Sequence, residues 1–562
     1  MTPGRLMPAL EALAGSPDGP MRLRELVLEL AVRGQLVPQD PRNEPASAML
    51  RAAREEQRRL YSAGEIKKPM NVRALASTDA PHAIPTTWEW VRLGDIVAVL
   101  DFIRQPVKKA DREARIAGKP KSALFPYYGA TQRAGWIDDY LFDEELVLLG
   151  EDGAPFFKNG KHVAYVVSGR FWVNNHAHAL RMLAGVNRFL CHALNQCNYD
   201  GFVSGTTRLK LTQRKMVDLP IPLPPLGEQQ RIVAKVDELM ALIDRLEAAR
   251  DSREATRVAL RDAALAALRD ADSAEEVEAA WQRIAERMDD LFTDPADVEP
   301  LRQTVLQLAV RGRLVRQDAE EEATIDLLRR VAADKAQLVA EKKVRKSKPL
   351  PPVAKEEAPF EVPRSWSWIR LGHCLADGPT NGWSPRSVDH DTGVRTLKLS
   401  ATTRGHFDGR HFKFVEADLD DNSPLWLRPR DLLIQRSNTP QYVGIAAIFD
   451  GPERTFIYPD LMMRCRVSER LSVEFVHLAL IAPYNRSWFS DKASGTSQSM
   501  VKVNQQTVRS TIIPFPPLAE QHRIVAKVEK LMGLLDRLEG KLTSLKTVHG
   551  EYAAAAIGSL DT

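Results

Sequence analysis

The chain has almost no cysteine: Cys191, Cys197, Cys374 and Cys465 are the full set in 562 residues, and none forms a Cys-x-x-Cys pair. Thiols so few and so scattered exclude a disulfide framework and suit a reducing compartment. No apolar run approaches the roughly 18 residues of a membrane-spanning helix. The stretch from Met1 to Pro20 lacks the basic, apolar and small-residue succession of an export signal, so a cytoplasmic location is expected. An excess of one charge is also missing: 78 Lys and Arg against 74 Asp and Glu leave +4. Catalytic signatures are lacking as well. There is no phosphate-binding Gly-x-x-x-x-Gly-Lys-Ser/Thr loop, no Gly-x-Gly-x-x-Gly turn, no His-Glu-x-x-His and no Gly-x-Ser-x-Gly. The Pro-Pro pairs precede Leu or Val, not the aromatic residue of an adenine methyltransferase motif. Pro459-Asp460 is not followed by the Glu-x-Lys of a common nuclease fold. His176-Ala177-His178 has metal-ligand spacing on a strand, but no third ligand stands near it in the sequence, and no metal is expected.

What is present is a duplication. Leu30-Ala31-Val32-Arg33-Gly34 recurs as Leu308-Ala309-Val310-Arg311-Gly312, an offset of 278. At the same offset Trp88-Glu89-Trp90-Val91-Arg92-Leu93-Gly94 recurs as Trp366-Ser367-Trp368-Ile369-Arg370-Leu371-Gly372. A third block, Pro224-Pro225-Leu226-Gly227-Glu228-Gln229-Gln230-Arg231-Ile232-Val233, recurs from Pro516 to Val525 at an offset of 292. Between the second and third blocks the copies barely resemble each other, apart from Ser204-Gly205-Thr206 against Ser494-Gly495-Thr496. A shared frame with two diverged inserts suits a protein that reads two different targets with one geometry.

The frame reads as helical. Ile232, Val236, Leu239, Ile243 and Leu246 recur in steps of 4, 3, 4 and 3, and Ile524, Val528, Leu531, Leu535, Leu538, Leu542 and Leu545 do the same. That is coiled-coil spacing, and two matched stripes in a duplicated chain predict an antiparallel pair related by a pseudo-two-fold axis. Glu228 and Glu520 sit in the first turn, where the helix dipole favours a carboxylate. Leu23 to Ala31 and Leu301 to Ala309 predict helices ending at Gly34 and Gly312, followed by charged helices over 46–60 and 323–340. The basic run Lys342 to Lys348 reads as a solvated linker. The inserts carry short β-rich runs between Gly, Pro, Asn and Asp, and each holds about +4 of charge. The fold expected is therefore α+β: a helical segment at 1–84, an insert at 85–226, a helical region and linker at 227–362, a second insert at 363–518 and a helix at 519–562.

With their order, these blocks resemble the specificity subunit of type I restriction–modification enzymes. The resemblance covers roughly residues 21–562. It implies that the inserts are target recognition domains, each reading half of a split, asymmetric DNA site, while long helices set the gap. It further implies no cofactor on this chain, with two methyltransferase subunits carrying S-adenosylmethionine, and endonuclease subunits that use ATP and Mg. Such a chain is non-catalytic by itself. Direct readout needs Arg, Lys, Asn and Gln at base edges. The first insert offers Arg104, Gln105, Lys108, Lys109, Asn174, Asn175, Thr206, Thr207 and Arg208. The second offers Asn381, Arg386, Arg436, Asn438, Gln441, Thr496, Ser497 and Gln498. Three other readings stay open: a methyltransferase-only complex, a catalytic chain with a built-in recognition half, and a protein-binding coiled-coil scaffold.

Overall fold

The computed structural model describes residues 19–76, 79–158, 161–495 and 500–558. The chain forms two compact units, the first holding residues up to Ser252 and the second Arg253–Thr547. Each unit contains one copy of all three blocks. The helices that matter here are α1 (Gly19–Val32), α2 (Ala46–Ser62), α3 (Asn187–Asn195), α4 (Leu226–Asp270), α5 (Ala274–Glu286), α6 (Val298–Val310), α7 (Thr324–Ala340), α8 (Val473–Ile481) and α9 (Leu518–Gly558). None in the described residues is long and apolar enough to cross a membrane.

In the first unit the apolar stripe of α4 is covered by α1. Ile232, Val236 and Ile243 are buried in one core with Leu23, Val27, Leu28 and Ala31. Each such side chain contributes about 1.5–3 kcal/mol by leaving water. Arg24 bonds Asp244 at 2.6 Å and Glu247 at 2.8 Å, while Gln39, past the end of α1, bonds Glu228. The two helices therefore run antiparallel. The second unit repeats the arrangement: Ile524, Val528, Leu531 and Leu535 share a core with Leu301, Val305 and Leu308, and Arg302 bridges Asp536 and Glu539. Leu265 and Leu268 of α4 also enter this second core.

The ends of each insert lie side by side. Strand Glu89–Arg92 of the second block pairs antiparallel with Pro220–Leu223, just before the third block, and Ser367–Arg370 pairs likewise with Ile512–Phe515. An insert that enters and leaves through one ribbon can diverge without disturbing the frame. The Arg in each ribbon is buried and spends its guanidinium on backbone. Arg92 donates to the carbonyls of Arg73 and Asp218 and pairs with Asp79; Arg370 donates to those of Pro351 and Ser510 and pairs with Glu357.

Despite their dissimilar sequences, the inserts share a topology. The first has a four-stranded antiparallel sheet in the order Val97–Val99, Ala177–Met182, Leu146–Gly150, Ala164–Val167. The second has Leu375–Asn381, Met462–Val467, Leu432–Gln435, Ala446–Ile448 in the same order. Each also has a second four-stranded sheet, of shorter strands and containing one parallel pair, Phe125–Tyr128 with Arg170–Val173 and Arg395–Leu397 with Phe456–Ile457. The small sheets differ at their edges, which is where insertion is cheapest, because an edge strand loses only one ladder. The fold is α+β, with two like inserted domains and a long helix between them in sequence.

Candidate nucleic-acid interface

The Glu-Gln pair of the third block fastens each insert to its helix. Glu520, 1% exposed, accepts from Trp366 Nε1 at 2.9 Å and Gln317 Nε2 at 2.6 Å. Burial pushes its carboxyl up to about 7, against those two hydrogen bonds. Glu228 accepts from Gln39 at 2.5 Å, with Trp88 beside it, and burial raises it too. The helix dipole is thus not the reason for these acids: they join all three blocks through one buried carboxyl. The neighbouring Gln521 accepts from the Ser472 amide at the start of α8 and donates to Pro516 O at 2.9 Å. Gln229 does the same with the Val186 amide ahead of α3 and with Pro224 O.

At the far end of the first insert's large sheet, three segments distant in sequence converge. The amide of Glu151 donates to His176 O, and the amide of Leu211 donates to Glu151 O. Asp152 bridges to Lys210 through the backbone and accepts from Arg208 Nε at 2.6 Å, while Arg208 Nη2 lies 3.3 Å from His176 Nδ1. Asn175, Thr206, Thr207, Arg208 and Lys210 are exposed on this tip. Thr206 to Arg208 cap the hairpin that Val203–Ser204 and Lys210–Leu211 form.

Beneath the tip lies a charged layer. Arg104 donates to Glu151 at 2.8 Å and to Ala177 O at 2.5 Å, and its Nη2 is 3.1 Å from Asp101. His178 joins Asp101 at 2.6 Å and Leu211 O at 2.9 Å. Asp101, Glu151 and His178 bring their ligand atoms within 4.8 Å of one another, but the Arg104 guanidinium already bridges the two carboxylates. The donor set therefore does not fit a metal ion. His176, half-exposed on the tip, takes no part in it.

The second insert builds the same tip from different side chains. Here Arg436 stands at the backbone position of Glu151: its amide donates to Leu461 O, and its carbonyl accepts from the Val503 amide. Ser437 pairs with Lys502 as Asp152 pairs with Lys210. Around it, Ser384 Oγ donates to Asp460 at 2.5 Å, Arg436 Nη1 reaches Asp460 O at 3.3 Å, and Trp383 is 42% exposed. A carboxylate pair in one tip becomes an arginine and a serine in the other.

Placement divides the sequence candidates into three groups. Arg104 and Asn174 are inward: Arg104 is held by Asp101 and Glu151, and Asn174, 8% exposed, accepts from the His176 amide. Asn438 is half-buried, donates to Gln435 Oε1 at 2.6 Å and accepts from the Thr439 amide. Asn175, Thr206, Thr207, Arg208, Asn381 and Arg436 lie on or beside the tips; Asn381 ends the strand before exposed Trp383. Lys108 and Lys109 are exposed at the start of the short helix Lys109–Ile116, which packs through Arg112 on Tyr127 and through Arg115 on Trp172 of the other sheet. Arg386 and Gln441 are exposed but outside the convergence, with Gln441 O accepting from Arg486. Thr496, Ser497 and Gln498 lie outside the described residues. Sequence reasoning missed Asp152, and it did not count His176, Lys210, Trp383 or Lys502 among the DNA-binding candidates. The signal for the lysines was present, since Lys210 and Lys502 share the third block's offset of 292.

The geometry agrees with what known proteins show. Residues 85–253 and 430–547 match the model of the type I restriction modification DNA specificity domain. The chain is 31% identical to the type I restriction enzyme EcoEI specificity subunit of Escherichia coli, over 96% of this chain and 93% of that one. It is 30% identical to the EcoAI specificity subunit of Escherichia coli, over the same shares. A crystal structure of the HsdS subunit from Thermoanaerobacter tengcongensis, 18% identical, overlaps 85% of this chain and 98% of its own with a TM-score of 0.38. The full-length sequence relatives carry the assignment: this chain belongs to the specificity subunits of type I restriction enzymes.

Proposed function

We propose that the chain reads a bipartite, asymmetric DNA site, one half with each insert tip, and carries methyltransferase and endonuclease subunits to it. The observation that supports this most is the pair of tips. One backbone frame presents Asp152, Asn175 and Arg208 in the first insert and Arg436, Asp460 and Trp383 in the second. The exposed side chains of the two tips differ in their donors and acceptors, and base edges are distinguished by donor and acceptor pattern. A carboxylate suits the cytosine amino group; an arginine suits guanine.

The chain is a recognition subunit, non-catalytic by itself. S-adenosylmethionine, ATP and Mg act on the partner subunits, where adenine is methylated and unmethylated DNA is cut. Exposed lysines of the insert, Lys210 on the tip among them, supply phosphate contacts that orient the duplex without reading it. Mapping adenine methylation in cells that express the complex tests the reading. A split motif with two unlike halves is the expected result. Methylation at a continuous site, or none that depends on this chain, sinks it.

A further inference from the structure

One cavity of the second unit, of about 480 Å³, belongs to neither tip. Its wall is apolar, from Ile325, Leu328 and Ala332 on α7 and Leu350 on the linker. Its charged lining is all cationic: Arg329, Lys335, Lys348 and Arg509, with His373. No carboxylate lines it; the acids nearby are paired, Asp326 with the lining Arg329 and the others with arginines outside the pocket. Asp326 pairs with Arg329 at 2.8 Å, Asp334 with Arg470 at 2.5 Å and Asp377 with Arg464 at 2.7 Å. The buried Arg509 Nε has no hydrogen-bond partner. Burial, then the neighbouring Arg509, holds Lys335 below its ordinary value. Burial, Lys335, Arg370 and Arg509 do the same for His373. These groups repel one another, and an anion would relieve that.

The first unit is an internal control, because the frame around this place is the same. Arg92 and Arg370 bond the equivalent linker carbonyls, and Gly94 and Gly372 pack against Val72 and Leu350. Yet where the second unit has Lys335, Lys348, His373 and Arg509, the first has Gln57, Met70, Asp95 and Val217. Gln57 donates to Gly94 O as Lys335 donates to Gly372 O, and Asp95 is satisfied by Arg54 at 3.1 Å. The fold therefore does not require the cations.

We propose that this pocket binds a small phosphate-bearing molecule of the nucleotide class, with the phosphate on Lys335, Lys348 and Arg509 and the ring on the apolar wall. A DNA backbone offers the same phosphate ester, but a duplex keeps its bases stacked and has no ring to lay on Ile325, Leu328 and Leu350.

Calorimetry on the full chain tests it, with AMP, adenosine and inorganic phosphate as probes. AMP should bind at one site, with adenosine and phosphate each weaker by at least about tenfold. Lys335→Gln with Arg509→Val, which installs the first unit's residues, should weaken AMP by at least about tenfold at an unchanged melting temperature. If that pair unfolds the unit, Lys335→Gln alone keeps the Gly372 contact and should show the same direction. Equal binding of all three probes, or AMP binding indifferent to both variants, overturns the proposal. So does displacement of AMP by a non-specific duplex whose own salt dependence falls with Lys335→Gln, since the pocket would then belong to the DNA backbone.

Discussion

Single residues decide whether a charge reads DNA or holds the fold. Arg104 is 11% exposed in its side chain and bridges two acids, so Arg104→Met should leave Asp101 and Glu151 without their shared cation. Breaking a buried pair from one side costs about 3–5 kcal/mol. The expected result is a lower melting temperature with little change in which sequence is methylated by the surviving protein. Arg436→Ala should act oppositely: the fold holds, cognate binding weakens by about 1–3 kcal/mol, and specificity relaxes in one half-site alone. Competition binding against duplexes altered in one half at a time separates the two. Glu520 makes a pH prediction. Its folded value, about 7, lies above that of an unfolded carboxyl, so the folded state holds the proton more tightly. Stability from this group is full below the ordinary carboxylate range and is lost as pH rises through about 7. Glu520→Gln should flatten that part of the melting profile, because the amide keeps the Trp366 contact and has no proton to lose.

At the scale of elements, the three repeated blocks are one locked joint. Block one is the helix that covers the long helix, block two the ribbon and its tryptophan, and block three the Glu-Gln step. Gly312, at φ +70°, lets the chain turn from α6 directly under the tryptophan, where an added Cβ would meet Pro363 Cγ at 2.5 Å. Gly312→Ala is therefore both strained and overpacked, with an expected loss of about 1–3 kcal/mol in thermal unfolding. Arg302→Ala on the same helix removes partly exposed bridges to Asp536 and Glu539 and should cost at most about 1 kcal/mol.

For the whole molecule, the separation of frame from inserts predicts modular change. Four residues inserted after Leu246 lengthen a helix by about 6 Å and turn it by about 40°. With base pairs about 3.4 Å apart, the gap between half-sites should grow by one or two base pairs, as methylation mapping would show. An unchanged gap would remove the helix from its role as spacer. The duplication, the order of blocks, the helices at 46–62 and 324–340 and the α+β inserts were all legible in the chain, because periodicity and turn residues are local properties. The stripe at Ile232 to Ile243 was legible as an apolar face, but not its cover: α1 lies some two hundred residues earlier in the chain. The run Lys342 to Lys348 reads as solvated, yet Lys348 lines a pocket and its carbonyl accepts from Arg509.

Sequence alone thus determined that one frame is used twice and that its two inserts differ. Only the tertiary structure decided which polar side chains face outward. Burial and pairing of a charge depend on partners brought from distant segments: Asp101, Glu151 and Leu211 around Arg104 and His178, or Gln317 and Trp366 around Glu520. No local pattern encodes such a meeting, so Arg104 and Arg208 look alike in the chain, yet the fold encloses the first and leaves the second exposed.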